Sequence, residues 1–344
     1  MNYKIDVTEE EILEAIDKVV KKTMTMDMTW NWHCGVAYYG IAKAWEVTGK
    51  GEYMDMVQKV VDEYIELGLP KLNVNACAMG HVLISLYEYT KDEKYWNIAL
   101  EKMNYLRNDA LRFGDNVFQH TVSDKNDFPG QAWADTLFMA GYFLLRMGRK
   151  LNDEEIIKDA LNQYYWHIQY LQDEKSSLFF HGYNDMDKSH MSGVHWGRAN
   201  AWAAYTMAEA RYLVNYLYPE FMEIDCSLRD QLSALKRIQT ENGLWRTVLD
   251  DGISYEEVSA SAGIGAAMTL YGNPLFTKSI NAALKGLLAN IDEDGKVMNV
   301  SGGTAVMNTV EDYRNIPKKY IQGYGQGLAL AFLAALLRKE VVHD

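Results

Sequence analysis

Residues 34–49 read CGVAYYGIAKAWEVTG, and residues 48–65 read TGKGEYMDMVQKVVDEYI. In the first segment small and aromatic residues occupy nearly every face of a 3.6-residue repeat, the pattern of a helix surrounded by protein. In the second, Lys, Glu and Asp gather on one side, the pattern of a helix with one face in water. The pairing recurs. GHVLISLYEYT (80–90) precedes TKDEKYWNIALEKMNYL (90–106), and YGNPLFTKSINAALKGLL (271–288) again couples a turn to an amphipathic helix after a more apolar one. An apolar inner helix followed by an amphipathic outer helix, repeated six times, is the sequence form of an all-α (α/α)6 barrel, a toroid of six hairpins. An irregular helical bundle is the alternative, and the pairing disfavours it.

Working outward, apolar residues at three- and four-residue spacing and only five prolines predict helices near 8–22, 34–48, 52–68, 76–90, 92–108, 131–148, 153–171, 198–217, 225–239, 256–271, 275–290 and 322–339. No low-complexity linker interrupts the series, so 1–344 is expected to form a single catalytic domain. Hydrophobic residues make up 48% and charged residues 24%, enough for a large core. The net charge of -13 argues against a polyanion-binding surface, so nucleic acid is not expected as a partner. Cys34, Cys77 and Cys226 are odd in number and never form a CxxC pair, which suggests neither disulfides nor a thiolate metal site. The acidic, amphipathic start and the lack of ~20 uninterrupted apolar residues predict a cytoplasmic chain without a membrane partner. The oligomeric state is left open.

Two stretches exceed the ~4–6 residues of a typical connection, roughly 109–130 and 172–197, and in a toroid such loops at one mouth carry function. Beside the first begins QAWADTLFMAGYFLLRMG (131–148), with Asp135 among apolar and aromatic residues. It either stabilises the helix dipole or, desolvated by Trp133 and Phe138, has a raised pKa and serves as a general acid. The strongest local signal is SGVHWGRANAWAAYTMAEA (192–210), which packs Trp196, Arg198, Asn200 and Trp202 into one loop-to-helix junction. Indole faces stack on sugars, Arg offers a carboxylate-matching fork and Asn reads hydroxyls, so the set suits an acidic saccharide. His181, His190 and His195 share a loop with Asp185 and Asp187, but no HxxxH or HExxH spacing occurs and no metal is expected. His120 and His181 could instead orient sugar hydroxyls. GYGQG (323–327) follows no strand, and close helix packing accounts for it.

WNWHCGVAYYGIAKAWEVTG, AWADTLFMAG, HGYND, HWGRANAW, GLWRTVLDDGISYEEVSASA and GYGQGLALAFLAAL together resemble glycoside hydrolase family 105, the unsaturated rhamnogalacturonyl hydrolases, and more distantly the unsaturated glucuronyl hydrolases of family 88. The resemblance spans most of the chain and implies an (α/α)6 barrel without cofactor. It would remove a 4,5-unsaturated uronic acid from the non-reducing end of short pectin- or rhamnogalacturonan-derived oligosaccharides. By resemblance Asp135 protonates the vinyl-ether double bond, water adds at the adjacent ring carbon, and the hemiketal opens. His120 and His181 would contact the substrate, Trp196 and Trp202 flank it, Arg198 bind it, and Trp32 supply an aromatic site position. The family carries a second Asp before its fourth helix, where KLNVNACAMGH (71–81) places Asn75. An amide there cannot raise the pKa of Asp135 by like-charge repulsion. A binder that holds unsaturated oligosaccharides without turnover, and an epimerase on the same barrel, are the competing readings.

Overall fold

The computed structural model describes residues 4–338, and the final residue of the expected helix 322–339 lies outside them. The helices are α1 (Glu9–Thr23), α2 (Trp32–Thr48), α3 (Gly51–Leu67), α4 (Met79–Thr90), α5 (Glu93–Asn108), α6 (Phe143–Leu151), α7 (Glu154–Leu171), α8 (Gly197–Leu213), α9 (Pro219–Arg237), α10 (Val258–Tyr271), α11 (Thr277–Leu288), α12 (Val310–Arg314) and α13 (Gly323–Leu337). Twelve of them form a six-hairpin helical toroid, and only the short α12 stands outside it.

Helices α2, α4, α6, α8, α10 and α13 line the ring in that order, and α13 packs back on α2 to close it. Each carries an outer helix on its flank: α3, α5, α7, α9, α11 and, joining the first helix to the last, α1. The sequence explains the division. Every residue of α10 from Val258 to Leu270, and of α13 from Gly323 to Leu336, is buried. In α1, a Thr8–Glu11 capping box starts the helix and only Ile12, Ala15, Ile16, Val19, Val20 and Thr23 face inward. Fully burying one large apolar side chain contributes about 1.5–3 kcal/mol, and a helix buried all round multiplies that gain only where neighbours approach closely. Gly40 and Gly327 permit this at the α2–α13 seam, where a Cβ on either would collide with the backbone of the other helix.

The bore is filled rather than open. Tyr39, His81, Phe138, Tyr142, Trp202 and Tyr205, from four inner helices, meet edge to face or tilted with ring centroids 4.8 to 6.5 Å apart. The Tyr39 and Tyr205 hydroxyls hydrogen-bond across it at 2.8 Å. This aromatic plug separates two mouths, one at the N-terminal ends of the inner helices and one at their C-terminal ends.

Two expected helices are shorter than their sequences suggest: the one at 198–217 ends at Leu213, and the one at 131–148 loses its first turn. Strands β1 (Arg112–Phe113) and β2 (Val117–Phe118) form one small antiparallel pair. Gln131–Trp133 is strand β3, paired antiparallel with β4 (Gly182–Asn184), so the 131–148 helix begins at Asp135 and runs through a π-helical segment, Leu137–Tyr142, into α6. Among the described residues no helix is long and apolar enough to cross a membrane.

Candidate active site

The N-terminal mouth gathers what the two long loops carry. β3 and β4 pair in the register Gln131 to Asn184 and Trp133 to Gly182. The Ala134 N–H donates to the His181 carbonyl (3.1 Å), and the His120 N–H donates to the Gln131 carbonyl (2.9 Å). Three segments distant in sequence are thus tied by backbone hydrogen bonds, and they bring His120, Asp135 and His181 together where the Asp135 helix starts.

Asp135 is 7% exposed, with Oδ2 lying 3.4 Å from Nε2 of His181. The other ring nitrogen of His181 lies 2.7 Å from the Tyr313 hydroxyl. The ionised Asp135 carboxylate can only accept, so the proton sits on the Nε2 that faces it, and Nδ1 accepts from the Tyr313 hydroxyl, which in turn accepts the Met307 N–H at 3.2 Å. His120 is held by Thr136 Oγ1 at 2.9 Å and stacks on Trp133 at 4.3 Å. The Trp196 ring lies 4.2 Å from His181 and completes the wall.

The electrostatics correct the expectation of a raised Asp135 pKa. Burial pushes its carboxyl up, as the flanking rings suggested, but His181, His120 and Arg198 together more than offset it and hold the group below its ordinary value. Burial drives His120 down to about 4 and also lowers His181, so both rings are neutral near pH 7. What acts on Asp135 there is the polar Nε2–H of the neutral His181 ring, 3.4 Å away and not aligned for a hydrogen bond with Oδ2, reinforced by the more distant Arg198 charge.

Arg198 also departs from expectation. Its guanidinium lies between the Trp196 and Tyr324 rings at 4.4 and 4.5 Å. Nη1 donates to Ser301 Oγ (2.7 Å), Nη2 donates to the Gly302 carbonyl (2.8 Å), and the buried Glu257 carboxylate lies 3.6 Å away. The fork is therefore spent inside the protein, because Glu257 and the 301–302 backbone supply the oxygens that the sequence reading reserved for a ligand. Glu257 is itself locked by Ser259 Oγ and the N–H groups of Ala260 and Ser301. Removing either charge of such a pair costs about 3–5 kcal/mol.

Trp202 is fully buried and packs on Phe138 at 5.0 Å, so it forms part of the floor and does not flank a ligand. Trp32, half-buried at the start of α2, stacks on Tyr324 at 4.8 Å on the rim of the mouth. Asn75 opens a 3-10 turn, Asn75–Ala78, that packs against the π-helical segment, and its N–H donates to the Thr121 carbonyl at 3.0 Å. The neighbouring Asn73 is consumed as a cap, accepting from the Ala76 N–H at 2.8 Å. His190 and His195 sandwich Phe180 further out, at 4.0 and 4.5 Å. No group of three or more His, Cys, Asp or Glu side chains suited to a metal ion occurs among the described residues.

Sequence reasoning missed Glu257, Ser301, Tyr313 and Tyr324. Glu257 had a weak signal, an acid just ahead of the small-residue run VSASAG, whereas Tyr313 had none. Among the described residues, five of the twelve buried side-chain polar atoms without a hydrogen-bond partner belong to this mouth: Asp135 Oδ2, His181 Nε2, Trp196 Nε1, Arg198 Nε and, in the floor, Trp202 Nε1. Such atoms are rare in native interiors, and a polar ligand seated on Asp135 and His181 gives them a purpose. The inner helices also begin here, so their positive ends favour an anionic ligand.

Residues 4–340 match the family profile described as Glycosyl Hydrolase Family 88. Over 331 residues, 96% of each chain, the sequence is 49% identical to a protein of Bacillus subtilis (strain 168) named unsaturated rhamnogalacturonyl hydrolase YesR. A Salmonella enterica serovar Paratyphi A structure, described as a possible member of the GH105 family, is similar with a TM-score of 0.92 at 25% identity, covering 98% of this chain and 96% of that one. An unsaturated glucuronyl hydrolase from Bacillus sp. GL1 shares the fold with a TM-score of 0.74 at 16% identity, covering 95% of this chain and 96% of that one.

Proposed function

Because the chain belongs to glycosyl hydrolase family 88, we infer that it removes the 4,5-unsaturated uronic acid from the non-reducing end of pectin- or rhamnogalacturonan-derived oligosaccharides, with Asp135 as proton donor. The observation that carries this reading is a buried carboxylate whose Oδ2 has no hydrogen-bond partner, set between two neutral histidines behind a tryptophan wall. The 49% identity to an unsaturated rhamnogalacturonyl hydrolase supports the substrate class.

The depressed pKa of Asp135 makes the free enzyme's carboxyl ionised at neutral pH. An unsaturated uronate brings its own negative charge and displaces water, and both effects raise the pKa of Asp135. Substrate binding thus charges the acid with the proton it delivers. Asp135 passes that proton to one carbon of the vinyl-ether double bond, and a water oxygen bonds to the adjacent ring carbon. The regenerated carboxylate takes the water's proton, and the resulting hemiketal opens to release the partner sugar. Asn75, uncharged, contributes hydrogen bonding and leaves the proton step to Asp135. His120 and His181 orient the sugar, Trp32 offers a ring face, Trp196 backs His181 and Arg198 from within the wall, and Arg198, bound within the protein, acts on the substrate's carboxylate through its field. A cytoplasmic setting belongs to the same proposal, and cell fractionation tests it.

Incubation with unsaturated disaccharides from rhamnogalacturonan, pectate, ulvan and glycosaminoglycans decides the matter. The expected result is loss of the double bond's ultraviolet absorbance, fastest with the rhamnogalacturonan product, together with release of the partner sugar. Binding without absorbance loss makes the protein a binder and overturns the reading. Preference for the glycosaminoglycan product reassigns the substrate.

A further inference from the structure

The opposite mouth holds the second concentration of charge. A cavity of about 880 Å³ opens there at the C-terminal ends of the inner helices, and Lys43, Arg146, Arg149, Lys150 and Arg338 line it. Against these five cations stand three acids, each already engaged. Glu46 pairs with Lys43 at 2.9 Å, Glu209 with Arg338 at 3.1 Å and with Lys43 at 3.7 Å, and Glu88 with Lys150. In a protein of net charge -13 this is a local reversal of sign.

Arg146 is the informative member. It is 8% exposed, and among the described residues no carboxylate forms an ion pair with it, Glu46 and Glu88 acting on it only from further off. Nη1 donates to Nδ1 and to the carbonyl of His81, at 3.0 and 3.2 Å. Arg is only a donor, so Nδ1 accepts and Nε2–H donates to the Phe138 carbonyl 3.0 Å away, which makes His81 a neutral ring. Burial and the nearby Arg146 charge hold that ring well below its ordinary pKa. The direct partners of the Arg146 charge are thus neutral, while the carboxylates of Glu46 and Glu88 favour it from further off, which leaves the place of a direct counter-ion to a ligand.

Helix C-termini account for part of the positive charge here, since cations near their carbonyls are stabilising. They do not account for Arg146. Its side chain runs back from the helix end to His81, in the first turn of α4, and borders the cavity from below.

We propose that this cavity is a second ligand site, which takes an oxyanion-bearing monosaccharide with its carboxylate or phosphate on Arg146. The volume falls within the ~300–1,000 Å³ of small-molecule sites, and the rings of Trp45 and Tyr142 in the lining offer surfaces for a sugar. The aromatic plug keeps the site separate from Asp135, so the proposal stands independently of the hydrolase reading.

Titration calorimetry on the full chain with galacturonate, glucose 6-phosphate and neutral galactose tests it, the first two separating a carboxylate source from a phosphate source. One charged sugar binds in the millimolar range or tighter, galactose does not, and Arg146→Met weakens binding at least about tenfold, the loss expected for a charge-assisted contact. Should Arg146→Met fail to fold, the rim variant Arg149→Gln/Lys150→Gln decides. It weakens binding and its salt dependence while turnover of unsaturated oligosaccharide is retained. Binding of neither charged sugar, equal binding of galactose, or binding unchanged in the folded variants overturns the proposal.

Discussion

The two mouths of the toroid each bury a carboxylate with a depressed pKa, Asp135 at one and Glu209 at the other, and the two groups are held in opposite ways. Burial raises Glu209, but Lys43 and Arg338 overcome this and bring it down to about 2, with Arg338 at 3.1 Å and the Tyr205 hydroxyl also at 3.1 Å. Its bonding capacity is spent. Asp135 has neutral rings as its nearest partners, with the Arg198 guanidinium committed elsewhere, and Oδ2 has no hydrogen bond. The first arrangement is what a fold does with a charge it needs for cohesion. The second keeps a proton acceptor loosely enough held that a ligand can change its state, and only the second suits chemistry.

Exchanging each acid for its amide is the sharpest way to break this contrast. Asp135→Asn keeps shape and removes the transferable proton, so kcat/KM for the unsaturated disaccharide is expected to fall at least about 10³-fold while the thermal midpoint stays near wild type. Turnover retained in that variant would erase the distinction between the mouths. Glu209→Gln is expected to do the reverse, costing about 3 kcal/mol in denaturant unfolding because Lys43 and Arg338 lose their shared counter-charge, with kcat changed less than severalfold.

Acid titration sharpens the comparison with a smaller effect. His33, which packs against Trp32 and Tyr324 on the rim of the Asp135 mouth, and His120 within it are both lowered to about 4, first of all by burial. Their folded pKa lies below the unfolded value of 6.5, so the unfolded chain binds more protons between these limits and stability falls as pH drops from about 6.5 towards 4. The share from His120 is about 1–2 kcal/mol between pH 6.5 and 5. Glu209 contributes stability above its unfolded value of 4.5 and loses it only as pH falls towards about 2. Denaturant unfolding across this range is expected to show the histidine step first, and His120→Gln is expected to shrink it. An unchanged slope in that variant would place the loss elsewhere.

Sequence reading recovered the ring because burial leaves its mark residue by residue: an element such as CGVAYYGIAKAWEVTG has no polar face to offer water. It recovered Asp135, His120, His181 and Trp196 as neighbours because each sits in or beside a long loop at one mouth. What it could not recover depends on partners far along the chain. β3 is three residues long and exists only because Gly182–Asn184 comes alongside. The Arg198 fork looked free because nothing near it in sequence reveals that Glu257 and Ser301 take its donors. The direction of the Asp135 shift was misjudged for a related reason, since flanking rings are legible and the Nε2–H of a histidine 46 positions away, aligned by Tyr313 a further 132 positions on, is not.

The rings that meet across the bore have one more consequence. A barrel closed halfway down has an entrance and no exit, so a polysaccharide cannot be threaded through it and cut as it passes. Only a chain tip can reach the bottom of the cul-de-sac, and the severed sugar must back out past the rim before another tip enters. Throughput then follows the number of ends in solution rather than the length of the chains that bear them.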